Sequence, residues 1–139
     1  MPKQSPVPED VDRGFWEAAN EGRLVVQNCH ACDRLQHPPM DACAKCGSGD
    51  NLEWSEMSGR GTIYTYAVMY DNPVPLMFDD QPFNAAVIKL EDDPDIMMLS
   101  HLPGTPVDEV PIGAPVRLVF EKTQATGQMV PEWEVVTQS

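Results

Sequence analysis

The stretch that decides the fold is residues 29–46, CHACDRLQHPPMDACAKC. It holds the four cysteines of the 139-residue chain, Cys29, Cys32, Cys43 and Cys46, in the spacing C-x2-C-x10-C-x2-C. A two-residue gap lets both thiolates of a pair point at one ion while the backbone turns tightly, and two such pairs complete a tetrahedron. The spacing therefore predicts a metal site with these four cysteines as ligands and Zn²⁺ as the ion.

Other interpretations of the cysteines are an iron site, two disulfides or a redox dithiol. Iron uses the same ligands, so the spacing leaves it open as the alternative to zinc. Disulfides need an oxidising compartment, and the opening residues MPKQSPVPEDVD contain no apolar run resembling a signal peptide. A redox dithiol would account for one of the two cysteine pairs and give the other pair no role. Because a filled four-thiolate site has no open position for substrate, the metal is predicted to be structural.

The charge of the chain is strongly negative, with a net value of −13. Residues 61–139 carry three basic and twelve acidic side chains, so this half alone stands at −9. Proteins that bind nucleic acid neutralise phosphates with Lys and Arg, and this half would repel a polyanion. No apolar stretch is long enough to span a membrane, and we expect a cytoplasmic protein.

Ahead of the cysteines, the segment DVDRGFWEAANEGR, starting at Asp10, predicts a short amphipathic helix. Asp10 is the expected N-cap and Gly22 the expected stop. Phe15 lies on the apolar face and Trp16 lies beside it. This face either packs on the protein's own core or serves as a hydrophobic anchor for a partner, and the sequence leaves both open.

After the helix the chain is rich in strand signals, with β-branched and aromatic residues between turn-forming segments. Strands are expected at residues 24–28 and from residue 51 in the cysteine region, then at 62–70, 83–90, 96–102, 116–122 and 132–136. The last five suit a small Greek-key barrel of the OB type. The predicted fold is thus mainly β with a short N-terminal helix: a four-cysteine zinc ribbon followed by a five-stranded OB-fold barrel. The expected segments are 1–22, tail and helix; 23–54, ribbon; and 55–139, barrel.

One connection, residues 71–82, is twelve residues long and carries Leu76, Met77 and Phe78 in a row. Long loops often carry function, so an apolar tip is a candidate contact surface for a partner or ligand. The alternative is that these side chains cap an open end of the barrel.

Candidate catalytic residues are not found in the sequence. The nucleophile-elbow, P-loop and dinucleotide-binding motifs are absent. His30 and His37 lie near a tetrahedron that thiolates already fill, so neither is expected to be a ligand. His101, on a candidate strand, is expected to be a partnered polar group rather than a base.

The order of these features carries a family resemblance. Phe15-Trp16 precedes a ribbon that contains His37-Pro38-Pro39 and ends Cys46-Gly47-Ser48, and then come Trp54, the run SGRGTIYTY at residues 58–66, and Ile112-Gly113-Ala114-Pro115-Val116. This closely resembles the small acyl-CoA-associated proteins that join a rubredoxin-like zinc ribbon to an OB-fold, long catalogued as a domain of unknown function. The resemblance runs from about residue 11 to residue 136.

What the resemblance implies is an accessory subunit that is not an enzyme on its own. Members of that family associate with thiolase-superfamily proteins, including thiolases and the lipid-transfer-protein-like aldolases that shorten steroid side chains, and the partner holds the catalytic residues. The resemblance thus implies a hetero-oligomer in lipid or steroid degradation, with acyl-CoA as substrate of the complex. Two alternatives remain: a stand-alone acyl-CoA binder, and an OB-fold nucleic-acid binder, which the acidic charge disfavours.

Overall fold

The computed structural model describes residues 5–69 and 82–136. Leu76, Met77 and Phe78 therefore lie outside the described residues. The described stretches contain one helix and eight strands: α1 (Arg13–Asn20), β1 (Val25–Cys29), β2 (Arg34–Gln36), β3 (Leu52–Glu56), β4 (Arg60–Met69), β5 (Phe83–Leu90), β6 (Met97–Ser100), β7 (Pro115–Lys122) and β8 (Met129–Val135). The expected mainly β chain with one short N-terminal helix is confirmed.

The helix begins two residues later than the sequence predicts. Its N-cap residue is Asp12, and the predicted cap Asp10 instead pairs with Arg13 at 3.2 Å. The Asp12 carboxylate accepts a hydrogen bond from the Glu9 backbone N–H at 2.7 Å, which lies outside the helix, and makes no cap bond. At the other end the expected stop is correct, because Gly22 has a φ of +78°, a left-handed conformation that glycine adopts at little cost.

The cysteine region forms a three-stranded antiparallel sheet in the order β2-β1-β3. The central strand β1 places Gln27 opposite Gln36 on one side and opposite Trp54 on the other. Strand β2 is a correction to the predicted elements, which include no strand between the two cysteine pairs. With only three residues, β2 is too short to show a period-2 pattern.

The rest of the chain forms a five-stranded antiparallel sheet in the order β6-β5-β4-β7-β8, which curls into a nearly closed barrel. Its two end strands meet at a seam held by Ser100. The Ser100 hydroxyl accepts hydrogen bonds from the backbone N–H of Trp133 in β8 at 3.0 Å and of Leu102 at 3.1 Å. The predicted five-stranded barrel is confirmed, with β6 shorter than expected and β8 beginning three residues earlier.

Within the described part of the chain, one hydrophobic core runs through helix, ribbon and barrel. Phe15 of α1 and Leu24 and Val26 of the ribbon belong to the same buried cluster as Ile88 and Trp133 of the barrel. The predicted boundary near residue 54 therefore separates two sheets whose buried side chains pack against each other in the same core. Among the described residues, no helix is long and apolar enough to cross a membrane.

Candidate metal centre

The four cysteines sit on two tight turns of the ribbon. Cys29 is the last residue of β1, and Cys32 lies in the turn that leads into β2, where Asp33 has a φ of +53°. The second turn is closed by backbone hydrogen bonds between Gly47 N–H and the Cys43 carbonyl, and between Cys43 N–H and the Ser48 carbonyl, both at 2.9 Å. Gly47 has a φ of +76°, which lets the chain reverse immediately after Cys46.

The sulfur atoms form a compact cluster. The Sγ atoms of Cys29 and Cys46 are 3.6 Å apart, those of Cys32 and Cys43 are 3.5 Å apart, and all four lie within 4.8 Å of one another. A tetrahedral zinc site with Zn–S bonds of about 2.3 Å has Sγ–Sγ edges of about 3.8 Å. All four cysteines are free thiols, so the disulfide interpretation is not supported. The donor set and its spacing fit one zinc ion.

The pKa values of the cysteine thiols also favour a bound cation. The backbone N–H groups of Cys46 and Lys45 point at the Cys43 thiol and lower its pKa to about 6. The hydrogen bond to Cys43 raises the pKa of the Cys32 thiol to about 12, because a second negative charge beside a thiolate is unfavourable. Without an ion, the cluster therefore favours a mixture of thiolate and thiol. A bound divalent cation would offset this repulsion and allow all four ligands to ionise.

Two buried glutamines, which the sequence analysis does not single out, hold the second cysteine turn against the sheet. Gln27 is bonded to Met40 through both of its side-chain groups, each at 2.9 Å, and also accepts from Gln36 at 2.7 Å. Gln36 in turn accepts from the Ala44 backbone N–H at 2.9 Å and donates to the Ala42 carbonyl at 3.2 Å. The pair thus fixes the residues on both sides of Cys43. Only the β1–β2 register places the two amides together, so the sequence alone carries no signal for them.

Replacing Gln36 with Ala is expected to weaken zinc binding by about 10- to 100-fold, the range found when groups that orient metal ligands are removed. The physical reason is that the Ala44 N–H loses its acceptor and the turn carrying Cys43 loosens. Competition with a chromogenic zinc chelator would measure the change. The exposed Gln124→Ala is the matched control and should bind zinc as the wild type does. Equal affinities for the two variants would contradict the role given to Gln36.

The two ribbon histidines stay outside the thiolate cluster. His30 is half exposed, with its Nε2 3.5 Å from a carboxylate oxygen of Glu53. His37 packs its ring against Phe15 with 5.5 Å between centroids, and burial lowers the pKa of its imidazole. His37 therefore favours the neutral form and serves as a packing residue between ribbon and helix.

The predicted partner contacts on the helix have different environments. Phe15 is 6% exposed and lies in the core, where it meets Trp16 edge to face at 4.9 Å. It therefore presents little surface to a partner. Trp16 is only partly buried and lines a groove of about 440 Å³ between helix, ribbon loop and barrel, together with Pro39, Met97 and Leu99. Leu99 is 68% exposed, so this groove, rather than Phe15, offers apolar surface.

His101 contacts the carboxylate of Glu121, in agreement with its interpretation as a partnered polar group. Glu132 lies close to both side chains. These residues are far apart in the sequence: 20 positions separate His101 from Glu121, and only the β7–β8 pairing places Glu132 beside them.

Comparison with known proteins agrees with this architecture. The ChsH2 rubredoxin-like zinc ribbon domain matches residues 16–53, and the ChsH2 C-terminal OB-fold domain matches residues 54–121. A DUF35 domain-containing scaffold protein of Methanocaldococcus jannaschii is 30% identical over 105 residues, covering 75% of this chain and 72% of the relative. The chain belongs to the DUF35 family of ChsH2-type zinc-ribbon and OB-fold proteins. The four cysteines are those of its zinc ribbon, and iron is not supported.

Two relatives carry enzyme-subunit names. A probable enoyl-CoA hydratase alpha subunit of Thermomonospora curvata is 38% identical over 108 residues. The 3-oxo-4,17-pregnadiene-20-carboxyl-CoA hydratase alpha subunit of Mycobacterium tuberculosis is 30% identical over 129 residues. The matches cover 77% and 84% of this chain but only 32% and 40% of those proteins. The chain therefore spans about a third of the length of the first relative and two fifths of the second.

A solved relative covers nearly the whole chain. A chain of the Ltp2-ChsH2(DUF35) aldolase superimposes with a TM-score of 0.82 at 30% identity, over 94% of this chain and 98% of its own length. That relative is thus similar in helix, ribbon and barrel together. Homologues of this chain are subunits of enzyme complexes.

Proposed function

We propose that this chain is a non-catalytic accessory subunit that binds and supports a thiolase-superfamily acyl-CoA enzyme. The partner is a lipid-transfer-protein-like aldolase or a thiolase of lipid or steroid side-chain degradation, and it holds the catalytic residues. The observation that carries the proposal is the likeness, over 94% of this chain, to a chain of the Ltp2-ChsH2(DUF35) aldolase. The name of the archaeal relative, a scaffold protein, agrees with a supporting role.

The chemistry of the metal site is consistent with this assignment. Four thiolates satisfy a tetrahedral zinc ion and leave no position for water or a carbonyl oxygen. The proposed zinc therefore stabilises the ribbon. Through the shared core, a rigid ribbon also fixes the position of α1 against the barrel, because Phe15, Leu24 and Val26 pack with barrel residues. The role proposed for the metal is to keep a preformed surface ready for the partner.

Co-expression with a thiolase-like protein from the same host is the direct test. We expect the two chains to co-purify as a hetero-oligomer and the partner to gain solubility or activity. The zinc-loaded chain added to separately purified partner should restore the same effect. Separate elution of the two chains in size-exclusion chromatography, with unchanged partner activity, would contradict the proposal.

The contact surface of the proposed complex is tested by Trp16→Ala and Phe78→Ala. Each is expected to weaken partner binding about tenfold or more, since aromatic anchors at interfaces contribute about 2 kcal/mol or more. Affinity is measured by biolayer interferometry, with thermal unfolding of each variant in parallel. The exposed Ile112→Ala, outside the groove, is the control and should bind normally. Unchanged affinity in both test variants would place the contact elsewhere.

A second candidate, an acyl-CoA binder acting alone, is favoured by the groove beside Trp16. Its volume of about 440 Å³ lies in the range of small-molecule sites, about 300–1,000 Å³. Isothermal titration with a long-chain acyl-CoA separates the two functions. A subunit that acts through its partner should show little heat alone and clear binding in the complex. Tight binding to the isolated chain would favour the second candidate.

A further inference from the structure

Three ionisable side chains, two from strands and one from the residue after a strand, converge at the seam of the barrel. His101 directly follows β6, Glu121 lies in β7 and Glu132 lies in β8. One ligand atom from each, an imidazole nitrogen or a carboxylate oxygen, lies within 4.8 Å of the other two. The group is separate from the thiolate cluster, since its members belong to the barrel and not to the ribbon.

The register of β7 and β8 explains why the two carboxylates meet. Glu121 is paired with Val130, and Glu132 is paired with Val119. Residues directly opposite each other, and residues two apart on one strand, point to the same face of a sheet. Glu121 and Glu132 are therefore diagonal neighbours on one face. Two ionised carboxylates placed so close repel each other, and a cation between them offsets that repulsion.

Ser100 and the following turn complete the arrangement. The Ser100 hydroxyl accepts from the N–H groups of Trp133 and Leu102 and donates to Oε2 of Glu132 at 3.0 Å. Glu132 is only 6% exposed, so its carboxylate is held in one place. A carboxylate that is oriented by a hydrogen bond and buried is typical of a built ligand rather than of a solvated surface charge.

The site is also open on one side. The side chains of His101 and Glu121 are 27% and 36% exposed, respectively. An ion therefore has a route from solvent past these two side chains to the buried carboxylate of Glu132. One imidazole and two carboxylates form a set of N and O donors that suits divalent metals of the first transition row.

We propose that His101, Glu121 and Glu132 form a second metal site, which binds one divalent transition-metal ion, such as Zn²⁺, through nitrogen and oxygen ligands. The ion replaces the contact between His101 and Glu121, so that the imidazole and both carboxylates face the metal. It thereby ties the three strands at the seam of the barrel.

The test uses the full chain with its ribbon already loaded with zinc. Titration with Co²⁺ is expected to show one further equivalent, with the weak visible bands of cobalt bound by N and O and without thiolate charge-transfer bands. Isothermal titration with Zn²⁺ should give the same stoichiometry. Binding is expected to weaken more than tenfold in Glu132→Gln, which keeps the size of the side chain and an acceptor for Ser100.

Two further variants separate loss of the metal ion from loss of the fold. Glu134→Gln, on the same strand but outside the group, is the matched control and should bind the second ion as the wild type does. His101→Gln, at a partly exposed position, should lose the second ion even where Glu132→Gln destabilises the fold, and thermal unfolding of each variant distinguishes the two effects. A wild-type chain that binds no second equivalent, or equal losses in Glu132→Gln and Glu134→Gln, would overturn the proposal.

Discussion

Replacing Cys43 with Ser is expected to abolish zinc binding and unfold the ribbon. Cys43 is a buried ligand and its thiol has a lowered pKa, so its loss removes a donor that ionises readily. Structural zinc contributes about 10–16 kcal/mol of apparent binding free energy in small metal-held domains. The whole stability of an ordinary domain is about 5–15 kcal/mol. In the ribbon, only the loss of another of the four cysteine ligands is expected to cost as much.

Zinc content by mass spectrometry, together with circular dichroism and thermal unfolding, would measure the effect of Cys43→Ser. The control is Lys45→Ala, an exposed change in the same turn that leaves all four thiolates in place. Treatment of the wild type with a strong chelator should reproduce the loss of ribbon structure, and added zinc should restore it. A Cys43→Ser protein with full zinc content and unchanged unfolding would show that Cys43 is not a required ligand.

The loss should extend beyond the ribbon. Leu24 and Val26 are 2% and 0% exposed and pack with the barrel, so a disordered ribbon uncovers part of the barrel core. We therefore expect Cys43→Ser to lower the unfolding temperature of the whole chain in one transition. This is the physical consequence of one core shared by the two sheets.

The parts of the fold that could be predicted from the sequence are those set by local chemistry. Paired cysteines with two residues between them define the metal-binding turns wherever they occur, and β-branched and aromatic runs define β4 and β5. Gly22 marks the helix end, because few other residues accept its φ of +78°. The helix start is less well determined by sequence, because Asp10 and Asp12 are both suitable N-caps. The carboxylate of Asp12 accepts a hydrogen bond from the backbone N–H of Glu9 and not from an N–H group of the helix.

The parts that could not be predicted depend on strand register. The Gln27–Gln36 pair and the group of His101, Glu121 and Glu132 exist only because particular residues face each other across strands. A shift of one residue would send either set to opposite faces. Strand β2 belongs to the same class, because pairing with β1, rather than its own three residues, makes it a strand. The shared core is likewise a tertiary property, with no counterpart in the predicted segment boundaries.

Replacing Trp133 with Ala is expected to cost about 3–5 kcal/mol of unfolding free energy, the range for removing a large buried aromatic side chain. Trp133 is 0% exposed and lies opposite Leu118 in the β7–β8 ladder. Its backbone N–H bonds to Ser100 at the seam, so the residue both fills the barrel and positions the seam strand. The loss is a large share of the whole stability of a domain this size.

The conservative variant Trp133→Phe separates packing from hydrogen bonding. The indole Nε1 is buried and has no hydrogen-bond partner among residues 5–69 and 82–136, so we expect phenylalanine to remove no bond and to leave only a smaller cavity. We expect it to cost well under half as much as alanine in urea unfolding. Trp54→Ala, at a position 37% exposed, is the matched control and should cost less than Trp133→Ala. If phenylalanine and alanine cost the same, the polar end of Trp133 must contribute a bond, and filling the barrel would not be its main role.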